Sequence, residues 1–266
     1  LLKHIPRRGW QVKPFRQEDL QAFIEIREVM ELKALDLAFA KLRAPLSITP
    51  VVVDPEFLYV DIETAVRYNP NITTKSDNEI KIAVISAIKT HTDAEINDFD
   101  TKLRLSKLAA AVDGCDPSIL NNDAKVILEK RIVPELNKSQ TFLLQYDNEL
   151  YREIPLNGAF VDGTAPISSS TFTYNGLTGC SFRDNGSGIL QIIQDATAGI
   201  EVVETSIGTV NYTEGSVNIN SFKTSLFTGN AIRLFATPTS RTISSSKNII
   251  LTYNAQPTVQ IVQERS

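Results

Sequence analysis

Two histidines, His4 and His91, and two cysteines, Cys115 and Cys180, are the whole stock of imidazole and thiol in 266 residues. So small a stock argues against a His-dependent hydrolase or a zinc enzyme. The cysteines lie too far apart for a zinc knuckle and read as unpaired thiols of a reducing compartment. His91-Thr92-Asp93-Ala94-Glu95 sets a histidine near two carboxylates, but in an expected inter-helix loop with no third ligand, so a solvated loop is the reading. Asp184-Asn185-Gly186-Ser187-Gly188 has the look of a calcium loop; its twelfth position is Asp195 rather than glutamate, and a hairpin turn is expected instead. No Gly-x-Ser-x-Gly elbow occurs, and Cys115 has no evident His partner. Paired carboxylates brought together from distant strands stay open, although the second half of the chain holds few acids. No catalytic residue, metal ligand or cofactor-binding residue is therefore expected.

The 27 basic and 31 acidic side chains leave a net charge of -4 and a pI near 5.4. A nucleic-acid partner would call for strongly segregated basic groups. The one basic cluster, Lys3, Arg7, Arg8, Lys13 and Arg16, is offset by acids soon after and reads as a solvated end, with Trp10 as a packing anchor. No run approaches the roughly 18 apolar residues of a membrane span, and Leu1-Leu2-Lys3-His4-Ile5-Pro6 is no signal peptide. A soluble chain is expected, without nucleic acid or membrane as partner. The missing initiator Met suggests a processed form or part of something longer.

These sparse groups must be held by two halves of different composition. The first 137 residues carry 19 basic and 21 acidic side chains and only Gly9 and Gly114; the rest carry 8, 10 and ten glycines. A charge-rich, glycine-poor stretch favours helices with solvated faces, and a Thr/Ser/Gly/Asn-rich one favours strands and turns. The expected class is α+β: an α/β sandwich followed by an all-β sandwich or barrel-like domain. Its divisions are a helical segment over 1–45, an α/β domain over 46–137 and a β-rich domain over 138–266, with a hinge near Pro134–Lys138.

Within the first half, Phe23, Ile26, Met30, Ala34 and Leu37 mark a helix from Gln17 to about Leu42, ended by Pro45. A short strand is expected over Ile48–Val53. The clearest strand is Phe57–Tyr68, with Leu58, Val60, Ile62, Thr64, Val66 and Tyr68 on one face and Asp61, Glu63 and Arg67 on the other. Ser76-Asp77-Asn78-Glu79 has capping-box spacing and opens a helix burying Ile80, Ala83, Val84, Ala87 and Ile88. A second helix, Asn97–Asp113, would bury Phe99, Leu103, Leu105, Leu108 and Val112, with Gly114 at C′. Ser118–Leu120 and Lys125–Val133 return to strand.

The second half is punctuated by Asn157-Gly158, Asp162-Gly163, Asn175-Gly176, Asn185-Gly186 and Glu214-Gly215, pairs that supply the positive φ of tight turns. About eight strands are expected between them: Thr171–Tyr174, Ile189–Ile193, Ile200–Glu204, Thr209–Tyr212, Ser216–Ile219, Ala231–Ala236, Asn248–Tyr253 and Thr258–Val262.

The run Asp54-Pro55-Glu56-Phe57-Leu58-Tyr59-Val60-Asp61-Ile62-Glu63-Thr64-Ala65-Val66-Arg67-Tyr68-Asn69-Pro70-Asn71 resembles the baseplate wedge proteins of T-even-like contractile-tailed bacteriophages, within a broader baseplate J-like family. Thr73–Ser76, Phe99-Asp100, Leu105–Leu108, Asp116–Ile119 with Asn121-Asn122, and Lys130-Arg131-Ile132-Val133-Pro134 agree in order. Thr171–Gly176 and Gly208–Tyr212 extend the likeness, which covers about residues 48–220 of this chain and corresponds to the C-terminal portion of the family. The resemblance implies a non-enzymatic virion protein of the tail baseplate, assembled in the host cytoplasm. It also implies that two copies pair in each wedge, that wedges ring a central hub, and that the ring rearranges when the sheath contracts. Implied partners are a second copy, other wedge proteins and hub or tail proteins, with no cofactor. From the residues alone, Phe57–Tyr68 and Ser76–Ile88 are the expected scaffold, and the loop tips Asn157–Pro166 and Phe222–Asn230 the expected contacts. A glycan-binding host-surface adhesin and a cell-wall hydrolase are the rival readings.

Overall fold

Period-two alternation of apolar residues does build a strand, β3 (Glu56–Tyr68). All six side chains expected on its dry face are buried, while Asp61, Glu63 and Arg67 point the other way. The computed structural model describes residues 2–5, 9–12, 27, 29–38, 56–156, 159–160, 165–196, 199–246, 248–254 and 257–264. They fall into two compact units, Leu1–Asp54 and Pro55–Ser266.

In the first unit, β1 (Leu2–Ile5) and β2 (Gly9–Val12) form an antiparallel hairpin, Leu2 opposite Val12 and Ile5 opposite Gly9. That hairpin lies in a segment expected to be helical. Residues 29–38 form a helix, α1, exposed along its whole length. The remainder of the expected Gln17–Leu42 helix and the expected Ile48–Val53 strand lie outside the described residues.

The second unit is organised on β3. Following it, α2 (Asp77–Glu95) begins with the capping box read from sequence: Ser76 Oγ accepts from the Glu79 N–H, and Glu79 Oε2 accepts from the Ser76 N–H at 2.8 Å. It buries Ile80, Val84, Ile88 and Thr92. The helix runs through His91–Glu95, so the expected loop there is helix. Asn97 then turns left-handed (φ 81°) and hands its N–H to the Leu251 carbonyl at 2.8 Å.

The expected second helix is half correct. Asp100 is also left-handed (φ 54°), and Thr101 exchanges hydrogen bonds with Ser245, its N–H to Ser245 Oγ and its carbonyl from the Ser245 N–H, both at 3.0 Å. Residues Lys102–Arg104 (β4) pair with β15 (Thr242–Ser244), and only Leu105–Asp113 (α3) is helical. Phe99 is accordingly exposed, whereas Leu103 is buried within β4. Gly114 has right-handed φ and serves as the C-cap, not as a left-handed C′ residue.

The two strand segments expected after α3 form one, β5 (Ile119–Ile132), antiparallel to β3 with Val60 opposite Leu128. The composition boundary at 137 divides no compact unit. β14 (Ile232–Ala236) is antiparallel to β5, and β16 (Ile249–Tyr253) and β17 (Thr258–Gln263) run parallel to β3. Residues on both sides of Pro134–Lys138 therefore share one hydrogen-bonded sheet. Composition reports which elements a segment forms, not which strands it will pair with.

The remaining strands are β6 (Gln140–Gln145), β7 (Ile167–Ser169), β8 (Phe172–Tyr174), β9 (Leu177–Asp184), β10 (Ile189–Ala196), β11 (Gly199–Asn211), β12 (Ser216–Phe222) and β13 (Leu226–Phe227). The main sheet has thirteen strands, in the path β16-β3-β5-β14-β7-β9-β10-β11-β12-β6, with β17 on β3 and β8-β13 on β9. Two expected strands, Ile200–Glu204 and Thr209–Tyr212, are one in β11; β6, β7, β9, β13 and β15 have no counterpart among the expected strands. Asn175 and Gly176 both take positive φ in the β8–β9 turn, as the Asn-Gly pair requires. Tyr146, just after β6, donates to the Leu234 carbonyl of β14 at 3.2 Å. Strands six apart along the path thus meet, so the sheet curls back on itself. Inside the curl Phe172, Phe182 and Phe222 cluster with ring centroids 4.7–5.0 Å apart. α3 packs on β5, and α2 on α3 and β17.

Candidate functional site

The groups singled out by residue type do not converge. His91 sits in the last turn of α2 with Nε2 buried and unbonded; Asp93 is exposed, and Glu95 pairs with Lys107 at 3.3 Å. Among the described residues no three His, Cys, Asp or Glu side chains are grouped to hold a metal ion. Cys115 and Cys180 are both free. Burial pushes both thiols up, and for Cys115 the Asp116 charge adds to it, which favours the protonated, unreactive form. The side chains of His4 and Trp10 and the basic cluster near the start lie outside the described residues.

Asp184 belongs to the β9–β10 turn. Its carboxylate is fully buried and accepts from Tyr212 Oη at 2.9 Å and from the Ile167 and Gly186 N–H groups at 3.3 Å. Burial raises its pKa and these bonds oppose the rise. A carboxylate with both oxygens engaged inside the protein is a turn support rather than a calcium ligand.

A pair of carboxylates on adjacent strands is a feature no local pattern signalled. Tyr59 and Asp61 of β3, Glu129 and Arg131 of β5, and Arg233 and Phe235 of β14 stand side by side on the outer face of three adjacent strands. Glu129 is wholly buried, accepting from Arg131 Nε at 2.5 Å and from Asn254 Nδ2 at 3.3 Å. The Arg131 guanidinium lies 3.6 Å from the Tyr59 ring centroid. Asp61 is pushed up to about 6, first by burial and then by the neighbouring Glu129 charge, with Asn254 and Arg233 opposing. A cleft of about 390 Å³ opens beside it, lined among others by Glu63, Ser168, Arg233 and Thr258. Each acid of the pair faces an arginine, Glu129 through Arg131 and Asp61 through the Arg233 charge. The arrangement is that of a cross-strand brace, two acids answered by two arginines.

Two other clefts flank the sheet. A second cleft, about 520 Å³, is lined by residues 130–133 of β5 and its end, 141–144 of β6, and Glu56, Phe57 and Tyr59. It holds the nearly buried Lys130 ammonium, 3.2 Å from Glu56; burial lowers the Lys130 pKa and Glu56 resists this. A third groove, about 730 Å³, runs between residues 149–152 and the β11–β12 hairpin, with Tyr151, Arg152, Asn211, Tyr212 and Asn218 on its walls. Of the expected contact tips, residues 157–158 and 161–164 lie outside the described residues. In the other, Phe222 and Thr224 are buried, whereas Lys223, Ser225, Leu226 and residues 228–230 are exposed.

No curated protein sequence matches this chain. Residues 56–131, under a third of the chain, match the family model described as baseplate structural protein gp6, C-terminal domain III. The matched segment runs from the start of β3 through α2 and α3 to Arg131 in β5, so it contains both carboxylates of the brace. The match supports a structural component of a phage tail baseplate, and with it a non-enzymatic role in the virion.

Proposed function

We propose that this protein is a structural part of the baseplate wedge of a contractile-tailed phage, contributing to the inner ring around the central hub and rearranging with it on sheath contraction. The observation that carries the reading is the match of residues 56–131 to the gp6 domain. That segment supplies β3, β5, α2 and α3, the part of the sheet against which β14, β16 and β17 pair. Its partners on this reading are a second copy, other wedge proteins and the hub or tail proteins, with assembly in the host cytoplasm. The broader baseplate J-like kinship belongs to the same reading. With one sheet running through residues 56–263, the 55–266 unit moves as a body and its contacts with neighbours change, rather than its core.

Electron microscopy of tails from a phage carrying a stop codon early in this reading frame is the test. The expected result is tails without an intact inner ring, restored by supplying the protein in trans. Complete baseplates that lack the chain would overturn the proposal. The groove beside Tyr151 and Tyr212, with its amide and hydroxyl lining, is the one feature favouring the adhesin reading. Glycan-array binding abolished by Tyr151→Ala would move the assignment there.

A further inference from the structure

The hairpin of β10 and β11 extends beyond the strands that flank it. β9 covers β10 only as far as Gln194, and β12 covers β11 only from Gly208 to Asn211. Past the end of β12 the hairpin continues through the pairs Ile193–Val202, Gln194–Glu201, Asp195–Ile200 and Ala196–Gly199, the first two still flanked by β9, and residues 199–207 have no strand on their outer side among the described residues. Half of the backbone N–H and C=O groups of such an edge face outward without a ladder partner, which makes it a template for another strand. Ile200 and Val202, 53% and 40% exposed, stand beside that edge, an apolar pair on an otherwise polar tip.

Charge selects the occupant. From Asn185 to Phe222 there is no lysine, arginine or histidine, but there are four acids, Asp195, Glu201, Glu204 and Glu214. Three of them belong to the extension or its base. Two copies pairing through this edge would set acid against acid, so the edge discriminates against its own kind while attracting a basic strand. We infer that the outer edge of β11, residues 199–207, accepts an extended, β-branched segment of a partner polypeptide bearing lysine or arginine, by strand addition. The aliphatic pair provides the apolar contact, the open ladder the hydrogen bonds, and Glu201 and Glu204 the counter-charges. A register shift around Val203, where Ile192 faces Glu204 and Ile193 faces Val202, bends the edge, so the regular template is the 199–202 end.

This inference is independent of the baseplate reading and is tested on the purified full chain. The probes are a fluorescent peptide Lys-Val-Thr-Val-Lys-Val-Thr and its counterpart with glutamate for lysine, read by anisotropy and by amide hydrogen exchange. The lysine peptide is expected to bind at 50 mM salt, at least tenfold more weakly at 500 mM, and to protect amides within 199–207. The glutamate peptide should not bind. Glu201→Lys with Glu204→Lys should weaken the lysine peptide at least tenfold without shifting the melting temperature by more than a degree or two. Equal affinity for both peptides, unchanged affinity in the double variant, protection elsewhere, self-association through this edge, or no binding up to millimolar peptide would each overturn the inference. A baseplate role could survive any of those outcomes.

Discussion

Replacing Asp61 with asparagine should make the protein more stable at neutral pH and leave it nearly unchanged in acid. Asp61 is pushed from 3.8 to about 6 by burial and by Glu129. A carboxyl that holds its proton more tightly folded than unfolded contributes stability that is fully present below about pH 4. That stability is lost as the pH rises through about 6. A shift of about two pKa units corresponds to about 3 kcal/mol at about 1.36 kcal/mol per unit. Asp61 is only half-buried, so solvent screening reduces this to about 1.5 kcal/mol. The side chain introduced by Asp61→Asn would be neutral at all pH values, with an amide able to donate to Glu129. The variant should therefore exceed the parent by about 1.5 kcal/mol above pH 7, or about 3–6 °C in melting temperature for a unit of this size. At pH 4 the difference should shrink to a few tenths. Asp116, held down near 2 by hydrogen bonds from Lys75 and Ser118, gives the opposite slope in acid, but it cancels between parent and variant. Urea unfolding of both proteins at pH 4.0 and 7.5 reads the quantity directly. A stability difference that is the same at both pH values, or a variant weaker than the parent at pH 7.5, would refute the reasoning about the brace.

Gly215→Ala should be among the most damaging single changes in the sheet: φ is +66° and the new Cβ would lie 2.0 Å from the Asn148 carbonyl oxygen. A loss of about 2–4 kcal/mol is expected in thermal unfolding, and a loss under about 1 kcal/mol would contradict the close approach. Ser76→Ala removes the side-chain half of the α2 capping box and should reduce stability by about 1 kcal/mol in urea titration, while Ser76→Asp should retain most of it. Phe182→Ala empties the centre of the Phe172–Phe182–Phe222 cluster; a loss of about 3–5 kcal/mol is expected, with the secondary structure retained in circular dichroism.

Elements whose cause is local were legible in the residues. β3 follows from strict alternation over thirteen residues, and the start of α2 from a four-residue cap whose bonds form within the segment itself. The β8–β9 turn follows from Asn175-Gly176, because positive φ is a property of those two residues alone.

Whatever depends on a distant partner was decided by tertiary structure. Residues 97–104 have helical periodicity, yet Asn97 donates to Leu251, Thr101 exchanges bonds with Ser245 and β4 pairs with β15, with Asn97 and Asp100 left-handed where the helix would have continued. β6 and β9 carry no strong alternation and become strands because β12 and β10 lie beside them. For the same reason β14, β16 and β17, all beyond residue 137, return to pair with β5 and β3. Asp61 and Glu129 stand 68 positions apart in the chain and meet only through the β3–β5 register. Residue types set local preferences and the available charges; strand register alone determined which of those charges became neighbours, because hydrogen-bonded pairing joins segments irrespective of their separation along the chain.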